Sequence, residues 1–84
     1  MDNGSNQLFG TVRDAVLAVL KRNIALDEHT NLSHEGIDSI TTVRLLIELE
    51  KRLHIQFREE DLTLDNFVTI RSIMKTLENY GVMV

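Results

Sequence analysis

The stretch Gly36-Ile37-Asp38-Ser39-Ile40 decides the fold, because it closes a polar segment and opens a helix with apolar periodicity. Asp38 is a natural N-cap, since its carboxylate can accept a hydrogen bond from the N–H of Ile40 or Thr41. The pattern predicts a helix from about Ser39 to His54. Ser39 would then lie in the first turn, at the positive end of the helix dipole and beside free backbone N–H groups.

This central helix has two faces, each built from residues at spacings of three and four. The first is a core stripe made of Thr42, Leu45, Leu46, Leu49 and Leu53, with Val43 at its edge. The second consists of Ile40, Arg44, Ile47, Glu48 and Lys51. We name this second set the docking face and expect it to bind partner proteins, because a charged face with two isoleucines offers apolar surface to another molecule.

A first helix is predicted from Asn6 or Gln7 to Arg22, with Asn23 as its stop. Its apolar residues share one face: Leu8, Val12, Ala15, Val16, Val19 and Leu20. Residues 23–38 lose this period and predict a long polar loop, which Leu26, Leu32 and Ile37 pin to the core. A loop of this length in a small domain is often functional, although a plain connector that needs length is also compatible with the pattern.

Beyond the central helix, residues 58–62 predict one short helical turn, with Leu62, Leu64 and Phe67 directed inward. A last helix begins at Thr69, a fair N-cap, and stops at Gly81. The expected fold is all-α, a small antiparallel four-helix bundle with three main helices, one short helix and a long loop after helix 1. Residues 6–81 form its single domain, between a disordered tail at 1–5 and a C-terminal tail at 82–84.

Composition and charge exclude several classes of function. The 84 residues include no cysteine, which excludes disulfides and thiol nucleophiles and suits a cytoplasmic protein. A net charge of −4 argues against a general nucleic-acid binder, which needs a positive field. No apolar run approaches membrane-spanning length, and the N-terminus shows no secretory pattern, so we expect no membrane partner.

The spacing of the polar residues gives little support for a catalytic site or a metal site. His29, His34 and His54 lack the i, i+4 spacing of a helical zinc pair, so no metal site is predicted. A triad of Ser39, His34 and Asp38 fails because Asp38 adjoins the serine and serves better as its cap, and no Gly-x-Ser-x-Gly elbow is present. We predict no catalytic residue and no enzyme activity.

Ser39 remains as a candidate for covalent modification. A phosphate ester at a helix N-terminus meets free N–H groups and the positive dipole end, which stabilises it by about 0.3–1 kcal/mol at an exposed site. Gly36 gives the preceding loop the freedom for a tight turn, so that a modifying enzyme can reach the hydroxyl. The local sequence leaves open a plain helix-start serine.

The wider pattern resembles the acyl carrier protein family, including peptidyl carrier domains. The resemblance is carried by Asn31-Leu32, then Gly36-Ile37-Asp38-Ser39-Ile40, then Val43, Leu46, Ile47, Leu49 and Leu53. It continues through Ile55-Gln56-Phe57, Asp61-Leu62, Asn66-Phe67 and Thr69-Ile70, and so covers Leu8 to about Tyr80. The Asp-Ser-Ile tripeptide alone is weak evidence; the spacings around it make the resemblance specific.

The resemblance implies that a separate phosphopantetheinyl transferase attaches 4'-phosphopantetheine from coenzyme A to Ser39, with Asp38 as cap and transferase contact. The terminal thiol of the arm would carry an acyl or aminoacyl group as a thioester. Implied partners are this transferase, a loading enzyme, and synthase or tailoring enzymes, which would meet a monomeric carrier. Ile40 and Ile47 match the apolar positions of the family's partner-docking helix.

The central helix departs from one family pattern. Carriers of bacterial fatty acid synthesis show a strongly acidic second helix, whereas this one carries Arg44, Lys51 and Arg52 beside Glu48 and Glu50. With the Asp61–Phe67 segment, this mixture looks more like a stand-alone carrier of polyketide or nonribosomal peptide assembly. The alternatives are a small helical adaptor without modification and a helix-turn-helix nucleic-acid binder, against which the net charge and the long loop count.

Overall fold

The computed structural model describes residues 3–81, with side chains from Gln7 onward. It contains three α-helices: α1 (Asn3–Leu20), α2 (Ser39–Leu53) and α3 (Ile70–Glu78). Three 3₁₀ helices lie between them, at Leu32–Glu35, Glu59–Asp61 and Leu64–Phe67. No β-strand occurs within residues 3–81, so the all-α prediction is confirmed. The predicted tail positions 1–2 and 82–84 lie outside the described residues.

The two ends of α1 differ from the prediction. The helix begins at Asn3, so residues 3–5, which the sequence assigned to a disordered tail, are helical. It ends at Leu20 instead of Arg22, because Lys21 adopts a left-handed backbone conformation with φ +56° that cannot continue the helix. The stop expected at Asn23 therefore occurs two residues earlier.

The segment between α1 and α2 is more ordered than a plain loop. Its 3₁₀ helix is capped by Asn31, whose side chain accepts a hydrogen bond from the Ser33 N–H at 3.0 Å. It ends at Gly36, where φ is +104°, a conformation that glycine adopts without steric cost. Leu32 and Ile37 are buried and Leu26 packs against the core, which confirms the three predicted anchor points.

Residues 58–68 contain the clearest correction. In place of one short helix at 58–62, the chain forms two successive 3₁₀ turns. Phe67 is buried as predicted, but Leu62 and Leu64 are 46% and 62% exposed, so their inward prediction is wrong. Phe67 joins an aromatic cluster: Phe57 packs edge-to-face on Phe67 and on Tyr80, at centroid distances of 5.6 and 5.4 Å.

One core joins the elements. α1 packs against both α2 and α3, and the 3₁₀ helix at Leu64–Phe67 packs against α2 and α3. The fully buried side chains of largest volume are Leu32, Leu45, Leu49, Ile70, Ile73, Leu77, Val12 and Val16. These residues come from all three α-helices and from the first 3₁₀ helix, so α2 is held on several sides. The four-helix bundle arrangement itself stays a prediction.

Candidate attachment serine and docking face on helix α2

The orientation of α2 is set by its buried stripe. Thr42, Leu45 and Leu49 are buried, while Leu46 and Leu53 are partly buried against the core, as the periodicity predicts. The Thr42 hydroxyl donates to the Asp38 carbonyl at 2.7 Å, so this polar group inside the stripe is satisfied. With this stripe turned inward, the opposite side of α2 must face solvent.

The start of α2 is fixed by Asp38. Its extended backbone (φ −93°, ψ −171°) and its carboxylate, which accepts from the Thr41 N–H at 2.8 Å, make it the predicted N-cap. The N–H and hydroxyl of Thr41 lower the pKa of the Asp38 carboxyl below its ordinary value of 3.8. Asp38 is therefore ionised at neutral pH and offers a fixed negative charge beside Ser39.

The chain that leads into α2 is anchored at both sides. The Arg22 guanidinium donates to the Glu35 carbonyl at 2.6 Å and ties this segment to the end of α1. On the other side, the Leu32 N–H donates to the Val68 carbonyl at 2.8 Å, just before α3. Ile37 is buried and its N–H donates to the Leu32 carbonyl at 3.0 Å. Ser39 therefore follows a positioned segment.

Ser39 is the first residue of α2 and is exposed to solvent. Its hydroxyl takes part in none of the side-chain hydrogen bonds within residues 7–81, and neither His34 nor Asp38 bonds to it there. An exposed hydroxyl with no internal base is a poor nucleophile by itself but is accessible to another enzyme. The geometry fits an acceptor for a covalent group better than a catalytic serine.

The docking face is exposed as predicted from spacing. Ile40 and Ile47 are 68% and 50% exposed, and Arg44 and Lys51 are exposed as well. Glu48 is only partly exposed and pairs with Arg52 at 2.7 Å. Val43 was predicted at the edge of the core stripe, but its side chain is more than half exposed, and those of Ile40 and Ile47 at neighbouring positions of α2 are exposed as well.

Leu62 and Leu64 are surface residues that the sequence reasoning missed. Leu64 belongs to the 3₁₀ helix that packs against α2, so exposed apolar side chains occur both on α2 and on an element in contact with it. The absence of a clean 3.6-residue period over 58–68 is the one sequence signal that these leucines were not on a buried helix face.

The described residues bear on two further classes of site, metal centres and membrane-spanning helices. No group of three or more histidine, aspartate or glutamate side chains there could hold a metal ion. No helix within residues 3–81 is long and apolar enough to cross a membrane.

Comparison with known families shows which family the chain belongs to. A family described as the phosphopantetheine attachment site (PP-binding) matches residues 10–77, which include all of α2 and most of α3. The chain belongs to this family. PP-binding domains are sites of covalent 4'-phosphopantetheine attachment, and they are generally tethering proteins without catalytic activity of their own. They work with phosphopantetheinyl transferases and with loading and synthase enzymes. The comparison with curated proteins gave no match.

The described residues of this PP-binding chain fit the covalent group. Ser39 offers an exposed hydroxyl at a helix N-terminus, where the dipole favours an added negative charge. The chain has no cysteine, so an attached thiol would be its only thiol.

Proposed function

We propose that Ser39 carries 4'-phosphopantetheine and that the chain works as an acyl or aminoacyl carrier. The observation that carries this proposal is the place of Ser39: it lies within the family match, it is exposed, and its hydroxyl is unengaged at the first residue of α2. When bound, the arm supplies a terminal thiol on which an acyl group is held as a thioester.

The residues around Ser39 prepare it for this role. Asp38 holds the helix start and, being ionised, is suited to lie near a cation of the transferase while the Ser39 hydroxyl is modified. Gly36 and the anchored segment before it leave the hydroxyl in the open. Tethering then raises the effective concentration of the cargo at each partner enzyme without a new contact.

The docking face is proposed as the surface that partner enzymes meet: Ile40, Arg44, Ile47, Glu48 and Lys51. Its position directly after Ser39 would bring the attached arm to the partner together with α2. Exchange between successive enzymes requires weak contacts, and a small exposed patch of two isoleucines with flanking charges suits such contacts.

We also propose a role in polyketide or nonribosomal peptide biosynthesis rather than in fatty acid synthesis. The support is the mixed charge of α2, which carries Arg44, Lys51 and Arg52 as well as Glu48 and Glu50. Charge on such a face governs partner choice and association rate more than the chemistry of the arm. A monomeric state, a cytoplasmic location and a four-helix bundle arrangement belong to the same proposal.

The deciding experiment is the intact mass of the protein after incubation with coenzyme A, Mg²⁺ and a broad-specificity phosphopantetheinyl transferase. We expect the mass to rise by one phosphopantetheine group in the natural chain and to stay unchanged in Ser39→Ala. Ser33→Ala is the matched control, because Ser33 is also exposed and lies in the same segment. An unchanged mass of the folded natural chain, or a gain that survives Ser39→Ala, contradicts the proposal.

A small interaction adaptor without covalent modification is the second candidate. The exposed Ile40 and Ile47 favour it, since they offer a binding surface whether or not an arm is attached. Partner affinity alone does not separate the two functions. Loss of a biosynthetic product in Ser39→Ala cells supports the carrier, and an unaltered product supports the adaptor.

A further inference from the structure

The acidic side chains of α2 have partners within the domain, whereas two of its basic side chains do not. Its acidic side chains are engaged within the domain: Glu48 pairs with Arg52 at 2.7 Å, and the Glu50 carboxylate accepts from the Phe57 N–H at 2.9 Å. Arg44 and Lys51 are exposed and belong to none of the ion pairs found among residues 7–81. The charged side chains of α2 that have neither an ion pair nor a hydrogen bond within residues 7–81 are therefore both cations.

These two cations share a side of α2 with its exposed apolar residues. Arg44 and Lys51 are seven residues apart, as are Ile40 and Ile47, so each pair lies two turns apart along one face. Val43 lies between the isoleucines and is also exposed, and Leu64 is an exposed apolar residue on the 3₁₀ helix that packs against α2. The result is an apolar strip flanked by unpaired cations, in a chain whose net charge is −4.

We propose that this surface docks onto a partner enzyme whose apolar groove is rimmed by carboxylates, so that partner Asp or Glu side chains meet Arg44 and Lys51. The inference rests on the proposed carrier function and adds the chemistry of its partner. The overall negative charge repels an acidic surface at long range, so attraction must come from this local arrangement. Two exposed ion pairs raise affinity modestly, most at low salt, and they also set register and association rate.

The test uses two amphipathic helical peptides with the same leucine face, one flanked by glutamates and the other by lysines. Binding to the ¹⁵N-labelled full chain is followed by amide shifts at low salt and at about 1 M salt, where the Debye length is about 3 Å. We expect the glutamate peptide to bind about tenfold more tightly at low salt, with shifts along Ile40–Lys51, and the preference to vanish at high salt.

Charge reversal provides the matched comparison. Arg44→Glu/Lys51→Glu should invert the preference between the peptides. Lys21→Glu/Lys75→Glu alters net charge by the same amount at two exposed lysines on other elements and should keep it. Equal binding of both peptides, preference for the lysine peptide by the natural chain, or equal loss in both double variants overturns the proposal, provided that circular dichroism shows folded protein.

Mass analysis of the same samples separates this inference from the carrier function. If the glutamate peptide is preferred but Ser39 takes no phosphopantetheine, the charge of the surface is supported and the carrier function fails. If Ser39 is modified but no preference for the glutamate peptide appears, the partner chemistry is wrong and the carrier function stands.

Discussion

Removal of the Tyr80 hydroxyl tests how the 58–61 segment is held. The hydroxyl donates to the Asp61 carboxylate at 2.5 Å and accepts from the Arg58 N–H at 2.7 Å. The ring packs edge-to-face on Phe57. Tyr80→Phe keeps this packing and removes only the two hydrogen bonds, so its effect isolates the polar contacts that tie Arg58 and Asp61 to Tyr80.

The expected loss follows from the character of the two bonds. A neutral hydrogen bond contributes about 0.5–1.5 kcal/mol and one to a charged group about 1.5–3 kcal/mol when buried. The surroundings here are only partly buried, so water can replace part of both. We expect Tyr80→Phe to lower the free energy of unfolding by about 1–2 kcal/mol, which lowers the midpoint of thermal unfolding by about 5–15 °C in a domain of this size.

Urea unfolding followed by circular dichroism measures this loss. Asp61→Asn is the matched variant, because it keeps an acceptor but removes the charge. If the hydroxyl and the carboxylate act on each other, the double variant loses less than the sum of the single losses. A change below about 0.3 kcal/mol in Tyr80→Phe, or strict additivity in the double variant, refutes this account of the segment.

Alkaline pH gives an independent measure of the same contact. Burial, and next the hydrogen bond to Asp61, raise the pKa of Tyr80 above its ordinary value of 10.0. A pKa raised in the folded state means that the contribution is present below pH of about 10 and is lost as the pH rises through the folded value. Tyr80→Phe should lack this alkaline loss. Its persistence in the variant would assign the loss to another group.

Three further predictions concern the elements that present Ser39. Leu49→Ala removes a fully buried side chain and should lower the free energy of unfolding, measured in urea, by about 3 kcal/mol. A near-neutral result would show that α2 is not anchored in the core. Thr69→Ala breaks the capping box with Ser72 and should cost about 1 kcal/mol, whereas Thr69→Ser should restore most of it. The NMR shift of the Thr41 amide should titrate with Asp38 at a midpoint below pH 3.8. Because the pKa of Asp38 is lowered by folding, the cap stabilises the fold at pH values above the unfolded-state pKa, and this stability is lost as the pH falls through the folded-state pKa. A midpoint above pH 3.8 contradicts the cap.

The parts of the structure that were predictable from sequence are those set by local chemistry. Asp38 before an apolar-periodic run specifies where α2 begins, because an N-cap and its first turn lie within four residues. The same period separated the buried Leu45 and Leu49 from the exposed Ile40 and Ile47. Thr69 specified the start of α3 for the same reason, and the structure adds Ser72 as its reciprocal partner.

The parts that were not predictable depend on contacts between distant residues. Leu62 and Leu64 were expected inside because leucine is usually buried, but both are exposed, and the aromatic contacts of this region join Phe57, Phe67 and Tyr80, which lie up to 23 positions apart in the sequence. The sequence of residues 58–64 alone does not reveal these contacts between distant residues. The end of α1 at Leu20 likewise rests on the left-handed conformation of Lys21, a residue with no special preference for it.

The charged residues counted in the sequence of α2 are not the same as the charges that its surface offers to a partner. Counted along the sequence, Arg44, Lys51 and Arg52 stand against Glu48 and Glu50, and the helix is simply mixed. In the structure Arg52 is compensated by Glu48, and Glu50 is turned to the Phe57 N–H, so a partner meets mainly Arg44 and Lys51. Since exposed charges act on a partner over about one Debye length, we expect Arg44 and Lys51 to influence a partner that docks on α2 more than the net charge of −4 does. We therefore expect partner choice to depend on which side chains of α2 are unpaired. Glu48→Gln, which frees Arg52 and leaves Arg44 and Lys51 unchanged, should make the surface more attractive to carboxylates, measured as tighter binding of the glutamate-flanked peptide.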